Sequence, residues 1–425
     1  MAHPRPLAVR GEGIWLYDDT GKAYLDGSGG PLVVNVGHGR REIAAAMAEQ
    51  AQALAYGHAL MFSSPVMEAY AEAIAQTLPL PYARIYPLSS GTEAVEAALK
   101  LARQIQVARG EGQRELIIGR NQSYHGLSLG TLAISGRPAM RTPYLGMLRD
   151  MPHINPPYPY RDPVSGREAA DRLEALLCDI GPQHVAAFIA EPISGASLGA
   201  VVPDDAYWPR IRAICDQYGV LLIADEVLVG MGRTGLWWAI ERWQVQPDLL
   251  VASKGTAGGY MPHGFVAARH DDVEQVRVAL GDFNHGGTFS HHPVGAAAAL
   301  ETLRIIQREK LVDNAATTGA YLQERLVAAL GDHPRVGQIR GCGLFYGIEL
   351  VADRATRVPF PIGDSIAWKL FLAAQEHGLV IYWSQGCADG LNGDIVLVGP
   401  PLIITPEQVD ELVRRLQAAF ESVFG

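Results

Sequence analysis

The chain changes its hydrophobic rhythm twice. Near the start, short apolar runs alternate with turn residues, and GIWLYDDTGKAYLDG (13–27) predicts a hairpin around residues 19–21. Helical spacing follows over about 41–56, and again from Pro65, a favourable first-turn residue, to about 78. From about residue 83 the runs ARIYPL, ELIIG, VAAFIAE, GVLLIADE and PDLLVAS are apolar at successive positions rather than alternate ones. That is the mark of strands buried on both faces, as in a parallel sheet, and helix-like segments separate them. After LVDNAA the texture shifts to a long helix over about 314–330, strands at RVGQIRG and GLFYGIELV, and a helix over about 364–377. Two further strands, GLVIY and DIVLVG, precede a final helix from TPEQVDELV onward.

This order predicts an α/β fold: a large domain whose mostly parallel sheet is covered by helices, and a smaller α+β domain. We expect the large domain over residues 58–312. The small one would combine 1–57 with 313–425. At 425 residues the chain exceeds one ordinary core, which agrees with two domains. The 46 glycines and 27 prolines are scattered, so they mark turns rather than a low-complexity tail.

Charge narrows the function classes. The net charge of −10, with no basic block, argues against a nucleic-acid surface. No stretch approaches a membrane span, and MAHPRPLAVRGEG lacks the apolar core of a signal peptide. Cys178, Cys215, Cys342 and Cys387 are far apart and read as buried free thiols of a cytoplasmic protein.

Candidate chemistry gathers at strand ends. In LLVASKGTAGGY (249–260) one lysine follows an apolar run. The chain has five lysines among its 35 basic residues, so Lys254 stands where arginine is the usual choice. A desolvated amine can lose its proton and attack a carbonyl; a guanidinium cannot. An ordinary strand-end lysine is the competing reading. Asp225 and Glu226 end the most apolar run, where ligands of open α/β sheets sit. The competing reading for Asp225 is a turn cap. In YPLSSGTEAVEAALKLAR (86–103) a polar turn, Ser89 to Thr92, opens an Ala-rich helix. Its free N–H groups and hydroxyls suit a phosphate, although a simple Ser/Thr cap explains the same residues. In NQSYHGLSLGTLAISG (121–136) Tyr124 stands beside His125 and Gly126, where its ring could cover a planar ligand or pack into a loop. NHGGTFSHHPVGAAAAL (284–300) holds His285, His291 and His292 without metal-ligand spacing, so no metal is expected there. Neither a dinucleotide nor a nucleoside-triphosphate glycine pattern is present. A phosphate cradle, an aromatic plate, a carboxylate and an amine together fit pyridoxal phosphate.

Here the sequence resembles the class III aminotransferases, the ω-aminotransferase group of the fold-type I pyridoxal-phosphate enzymes. The resemblance runs from YLDGSGGPLVVNVGHG through SSGTEAVEAALKLAR, SYHG, EPISG, IADEVLVGMGRTG, SKGTAGGYMPHG, GGTFSHHPVGAAAAL and IRGCGLFYGIEL to GPPLIIT. It implies that Lys254 forms the Schiff base and that Asp225 keeps the ring nitrogen protonated. Val227 and Tyr124 would cover the two ring faces, with His125 beside them. Ser90, Gly91 and Thr92 would bind the phosphate, and Glu191 would stand near the site. Thr288 would reach the neighbouring site of a homodimer. The implied reaction moves an amino group from an amine or ω-amino acid donor to a small keto acid in a ping-pong cycle. A decarboxylase, an aminomutase or a transaminase using 2-oxoglutarate is the alternative within the family.

Two positions depart from the pattern. Members acting on ornithine, acetylornithine or GABA carry an arginine where this chain has Leu397, and many amine:pyruvate members carry one near Tyr382. Without either clamp the resemblance favours pyruvate over a dicarboxylate acceptor. Leu228 after DEV agrees with the amine:pyruvate group. Arg137, Arg141 and Arg357 remain as possible substitutes for the missing clamp. Leu32, Met61, Phe62 and Trp383 are candidates for an apolar substrate pocket, or for core packing.

Overall fold

The computed structural model describes residues 5–425. The signal-peptide reading of the N-terminus falls in part on residues 1–4, outside the described residues. The central sheet has seven strands: β1 (Ala83–Leu88), β2 (Leu116–Arg120), β3 (His153–Ile154), β4 (Val185–Ala190), β5 (Leu221–Asp225), β6 (Leu249–Ala252) and β7 (Gly264–Arg269). Their spatial order is β1-β7-β6-β5-β4-β2-β3. All neighbours are parallel except at β7, which runs antiparallel to both β1 and β6. The expected mostly parallel sheet is therefore present, with one reversed strand that the apolar runs did not mark.

The double-faced burial follows from the sequence. β4, β5 and β6 are buried at every residue. Leu221, Ile223, Leu249 and Val251 join one core layer, and Leu222, Leu250 and Ala252 join the other, as a period of two requires. The first layer is covered by the helix Gly91–Ala108, which buries Ala94, Val95, Ala97, Ala98 and Leu101. Small alanines let this helix approach the sheet closely. Its register starts just after the end of β1, so its N-terminus lies at the carboxyl edge of the sheet.

Two further sheets flank this core. Three N-terminal strands (Ala8–Glu12, Trp15–Asp18, Ala23–Asp26) pair with the C-terminal Leu379–Val380, which joins the two ends of the chain in one sheet. Strands Val336–Cys342, Phe345–Asp353, Asp394–Val398 and Tyr382–Gln385 form the other, with short Val358–Pro359 paired to Phe345–Asp353. The run GLVIY is thus two strands rather than one: the chain leaves the first sheet after Val380 and enters the second at Tyr382. The four cysteines are free; Cys215 and Cys387 are buried as expected, Cys342 is half-buried, and Cys178 is exposed because it lies on the outer face of the helix Gly166–Ile180. No helix among the described residues is long and apolar enough to cross a membrane.

Candidate active site

Two neighbouring carboxylates at the end of β5 take opposite roles. Glu226 turns inward and accepts from the backbone N–H groups of Ala239 (3.0 Å) and Ile240 (2.8 Å). Burial pushes its carboxyl up to about 8 against those donors, so it is a structural anchor for the chain after β5. Asp225 turns the other way. One of its oxygens, Oδ2, meets His125 Nδ1 at 2.6 Å, and Oδ1 accepts from the N–H of Val227 at 3.0 Å. His125 Nε2 is buried and has no partner among the described residues.

Lys254 opens a single 3₁₀ turn, Lys254–Thr256, directly after β6. Its φ of +47° lies in the left-handed region, a strain of about 1 kcal/mol for a residue other than glycine. Polar anchors hold the turn: Ser253 Oγ and Thr256 Oγ1 both donate to the His263 carbonyl, at 2.7 and 3.2 Å. Burial pulls the Lys254 ammonium down to about 8, although Asp225 and Glu191 pull the other way. Its amine has no hydrogen bond or ion pair among the described residues. A lysine in that state is a nucleophile and base near neutral pH.

The third component is the start of the helix Gly91–Ala108. Ser90 caps it, its Oγ accepting from the N–H of Glu93 at 3.2 Å. A Cβ at position 91 would come within 2.8 Å of Val227 Cγ1, so glycine is what lets the helix start and the end of β5 touch. Gly126 does the same for the loop before it. Its φ is +132°, and a Cβ there would lie 2.7 Å from Thr92 Oγ1. The loop is aimed by Glu191, whose Oε1 accepts from the N–H of Tyr124 at 3.2 Å while Oε2 pairs with Arg120 at 2.9 Å. Burial disfavours the Glu191 charge, but His125 and Arg120 outweigh it and lower its carboxyl.

These parts enclose one cavity of about 320 Å³ at the carboxyl edge of the sheet. A comparison with known families decides what it belongs to. The sequence profile of the family Aminotransferase class-III matches residues 2–420. The chain belongs to this family. It is 37% identical to the putrescine–pyruvate aminotransferase of Pseudomonas aeruginosa, over 96% of this chain and 88% of that one. It is 36% identical to the diaminobutyrate–2-oxoglutarate transaminase of Halomonas elongata, over 99% and 91%. The solved ω-transaminase of Pseudomonas jessenii in complex with PMP superposes at a TM-score of 0.92 with 33% identity, covering 100% of this chain and 96% of that one. The protein is a transaminase with the fold-type I architecture.

The aminotransferase brings most of the expected residues together. Leu32, Ser90, Gly91, Thr92, Tyr124, His125, Glu191, Asp225, Val227 and Lys254 all line the one cavity. Four expected residues are not among its lining. Met61 and Phe62 are 76% and 67% exposed. Thr288 is exposed on the loop before the helix Pro293–Arg308. Trp383 lines a different cavity and packs edge-on to Trp368, with ring centroids 5.3 Å apart. Its neighbour Tyr382 lines the active site instead. Alternation along a strand sends adjacent side chains to opposite faces, and that signal was available once the strand start was known. Of the three spare arginines, Arg137 alone lines the cavity; Arg357 lies over the ring of Tyr160, 4.9 Å from its centroid. Met140, Ile193, Gly195 and Ala196 also line the wall and carry no residue-type signal of their own. His285 meets Lys100 Nζ at 3.1 Å, and His291 packs on Tyr86 at 4.8 Å.

Proposed function

We propose that this transaminase uses pyridoxal phosphate to move an amino group from an amine or ω-amino acid to a small keto acid such as pyruvate, in a ping-pong cycle. The observation that carries the reading is that an amine without a partner among the described residues, Lys254, and a buried carboxylate, Asp225, share the wall of one cavity beside a helix N-terminus. The residues present fit the cofactor. First-turn N–H groups and the hydroxyls of Ser90 and Thr92 suit its phosphate. Gly91 leaves room for Val227 against one ring face, and Tyr124 would cover the other.

When bound, the cofactor supplies an aldehyde that captures amines and a protonated ring that draws electrons from the carbon bearing the amino group. The chain supplies the rest. Asp225 holds the proton on the ring nitrogen, and His125 Nδ1 fixes the orientation of that carboxylate. Lys254 Nζ, pulled down to about 8, is partly neutral at physiological pH and is the base that takes the proton from the substrate carbon and returns it. Glu191 keeps Tyr124 in place through the backbone.

The same reading makes the active unit a homodimer. Leu60, Met61, Phe62 and Phe289 are all large, apolar and more than 60% exposed, and a dimer would take them out of water. The Phe289 carbonyl accepts from Ser89 Oγ at 3.4 Å, so the loop that carries exposed Thr288 is anchored beside the phosphate turn, and in the dimer Thr288 would reach the neighbour's. Met61 and Phe62 would then meet the partner rather than solvent.

Visible absorbance of the purified enzyme tests the reading. An amine donor should bleach the cofactor band, and pyruvate should restore it while alanine accumulates in equal amount. Bleaching without restoration by any keto acid, or release of carbon dioxide in place of amino transfer, would sink it.

A further inference from the structure

Most buried guanidiniums of this enzyme have a settled partner. Arg120 pairs with Glu191 and Arg340 pairs with Glu349. Arg233 has no carboxylate partner among the described residues but donates to three oxygens, the carbonyls of Leu344 and Pro400 and the side chain of Asn35. Arg137 has neither a carboxylate nor such a set of oxygens among the described residues. It lines the active-site cavity with Tyr124, Met140 and Tyr382, and it is half-buried. Only Nη2 is engaged, donating to Ser384 Oγ at 3.2 Å and the Gln385 carbonyl at 3.1 Å. Nε and Nη1 have no partner, and no carboxylate lies within ion-pair distance, among the described residues. Burial pulls its pKa down, the mark of a charge taken out of water without compensation, although the phenols of Tyr382 and Tyr124 pull the other way.

The surroundings hold this side chain in place. The Gly386–Cys387 carbonyls accept from Gln122 Nε2 at 3.1 and 3.0 Å. Gly390 of the same loop sits against Pro138, where a Cβ would lie 3.1 Å from Pro138 Cγ. A guanidinium clamped by one nitrogen, with its other donors free in a substrate cavity, is a ready partner for a planar anion.

We propose that Arg137 holds the acid group of the keto-acid acceptor, and of the amino acid made from it, replacing the arginines absent at 382 and 397. This rests on the transaminase reading above and adds its specificity determinant. It makes the two half-reactions unequal. Keto acids and amino acids need Arg137, whereas amines without an acid group do not.

The test compares pyruvate with propanal as acceptors, and adds calorimetric titration with propanoate, an acid that cannot react. In Arg137→Gln the KM for pyruvate should rise about 100-fold, in keeping with truncation of a desolvated charge pair. The KM for propanal should stay within about threefold, and propanoate binding should weaken at least about tenfold. Arg137→Lys, which keeps the charge and a donor for Ser384, should raise the pyruvate KM by only about tenfold. Equal shifts for pyruvate and propanal in both variants would make Arg137 a strut for the 384–385 strand and overturn the inference, as would an unchanged pyruvate KM. A wild-type enzyme that aminates no keto acid, yet loses propanoate binding in Arg137→Gln, would refute the acceptor reading and leave the acid-binding role standing.

Discussion

Two buried charge clusters in this protein have opposite character. Around Glu349 the charges are answered within the chain. Arg161 Nε donates to one oxygen at 2.7 Å, Arg340 Nη1 to the other at 2.6 Å, and Tyr158 also donates to the carboxylate. Arg340 turns its remaining nitrogens to Tyr158 and to the Gly199 carbonyl. Burial opposes the Glu349 charge, yet the two arginines hold its carboxyl below its ordinary value. In the active-site cavity the balance is reversed. Among the described residues Lys254 has no partner, His125 Nε2 has none, and Arg137 uses one nitrogen of three. A cluster saturated by its own chain holds the fold together. A cluster left open is one whose missing partners arrive from outside.

Breaking each cluster should therefore fail in a different assay. Lys254→Ala should lower turnover by at least about 10³-fold, since on the proposed reading the nucleophile and the base are lost together, while urea unfolding of the cofactor-free protein shows no loss of stability. Glu349→Gln should do the reverse. It strands two arginines in a buried site and should cost about 3 kcal/mol of unfolding free energy, read from the urea midpoint. Equal damage to both properties in either variant would erase the distinction. Asp225→Ala should retain cofactor but lower turnover by about 10²-fold, because on the proposed reading it removes the charge that would face the ring nitrogen.

The smaller effects sharpen the picture. In the cofactor-free enzyme, labelling of Lys254 by an amine-directed reagent should rise as pH passes about 8, since the neutral amine reacts and burial favours that form. A midpoint near the ordinary lysine value of about 10.4 would show that the amine is solvated. Thr288→Ala should weaken cofactor binding by about tenfold, the worth of one hydrogen bond to a charged group, without changing the donor range. An unaffected cofactor affinity would remove Thr288 from the neighbouring phosphate site.

What the sequence made legible was set by locality. Strands buried on both faces announce themselves as unbroken apolar runs, and Asp225 and Lys254 could be placed because each stands at the end of one. The fold class and the main cavity wall were within reach for that reason. β7 was not, since GFVAAR pairs with β1, far away in sequence, and nothing local says that it reverses direction. Trp383 was chosen over Tyr382 because which of them faces the site depends on where the chain changes sheets, a fact of long-range pairing. Arg137 could not be singled out from Arg141 and Arg357 until the 384–385 strand was brought to it. Met61, Phe62 and Thr288 lie on the surface of a single chain, where no property of that chain alone assigns their contacts.

The most direct test uses the scarcity of lysine. The five candidates, Lys22, Lys100, Lys254, Lys310 and Lys369, fall in well-separated parts of the sequence. Borohydride reduction of the pyridoxal-phosphate-loaded enzyme, followed by peptide mass mapping, should find the cofactor fixed to Lys254 in an amount near one per chain. The label on any of the other four, or spread among them, would contradict the assignment of the site.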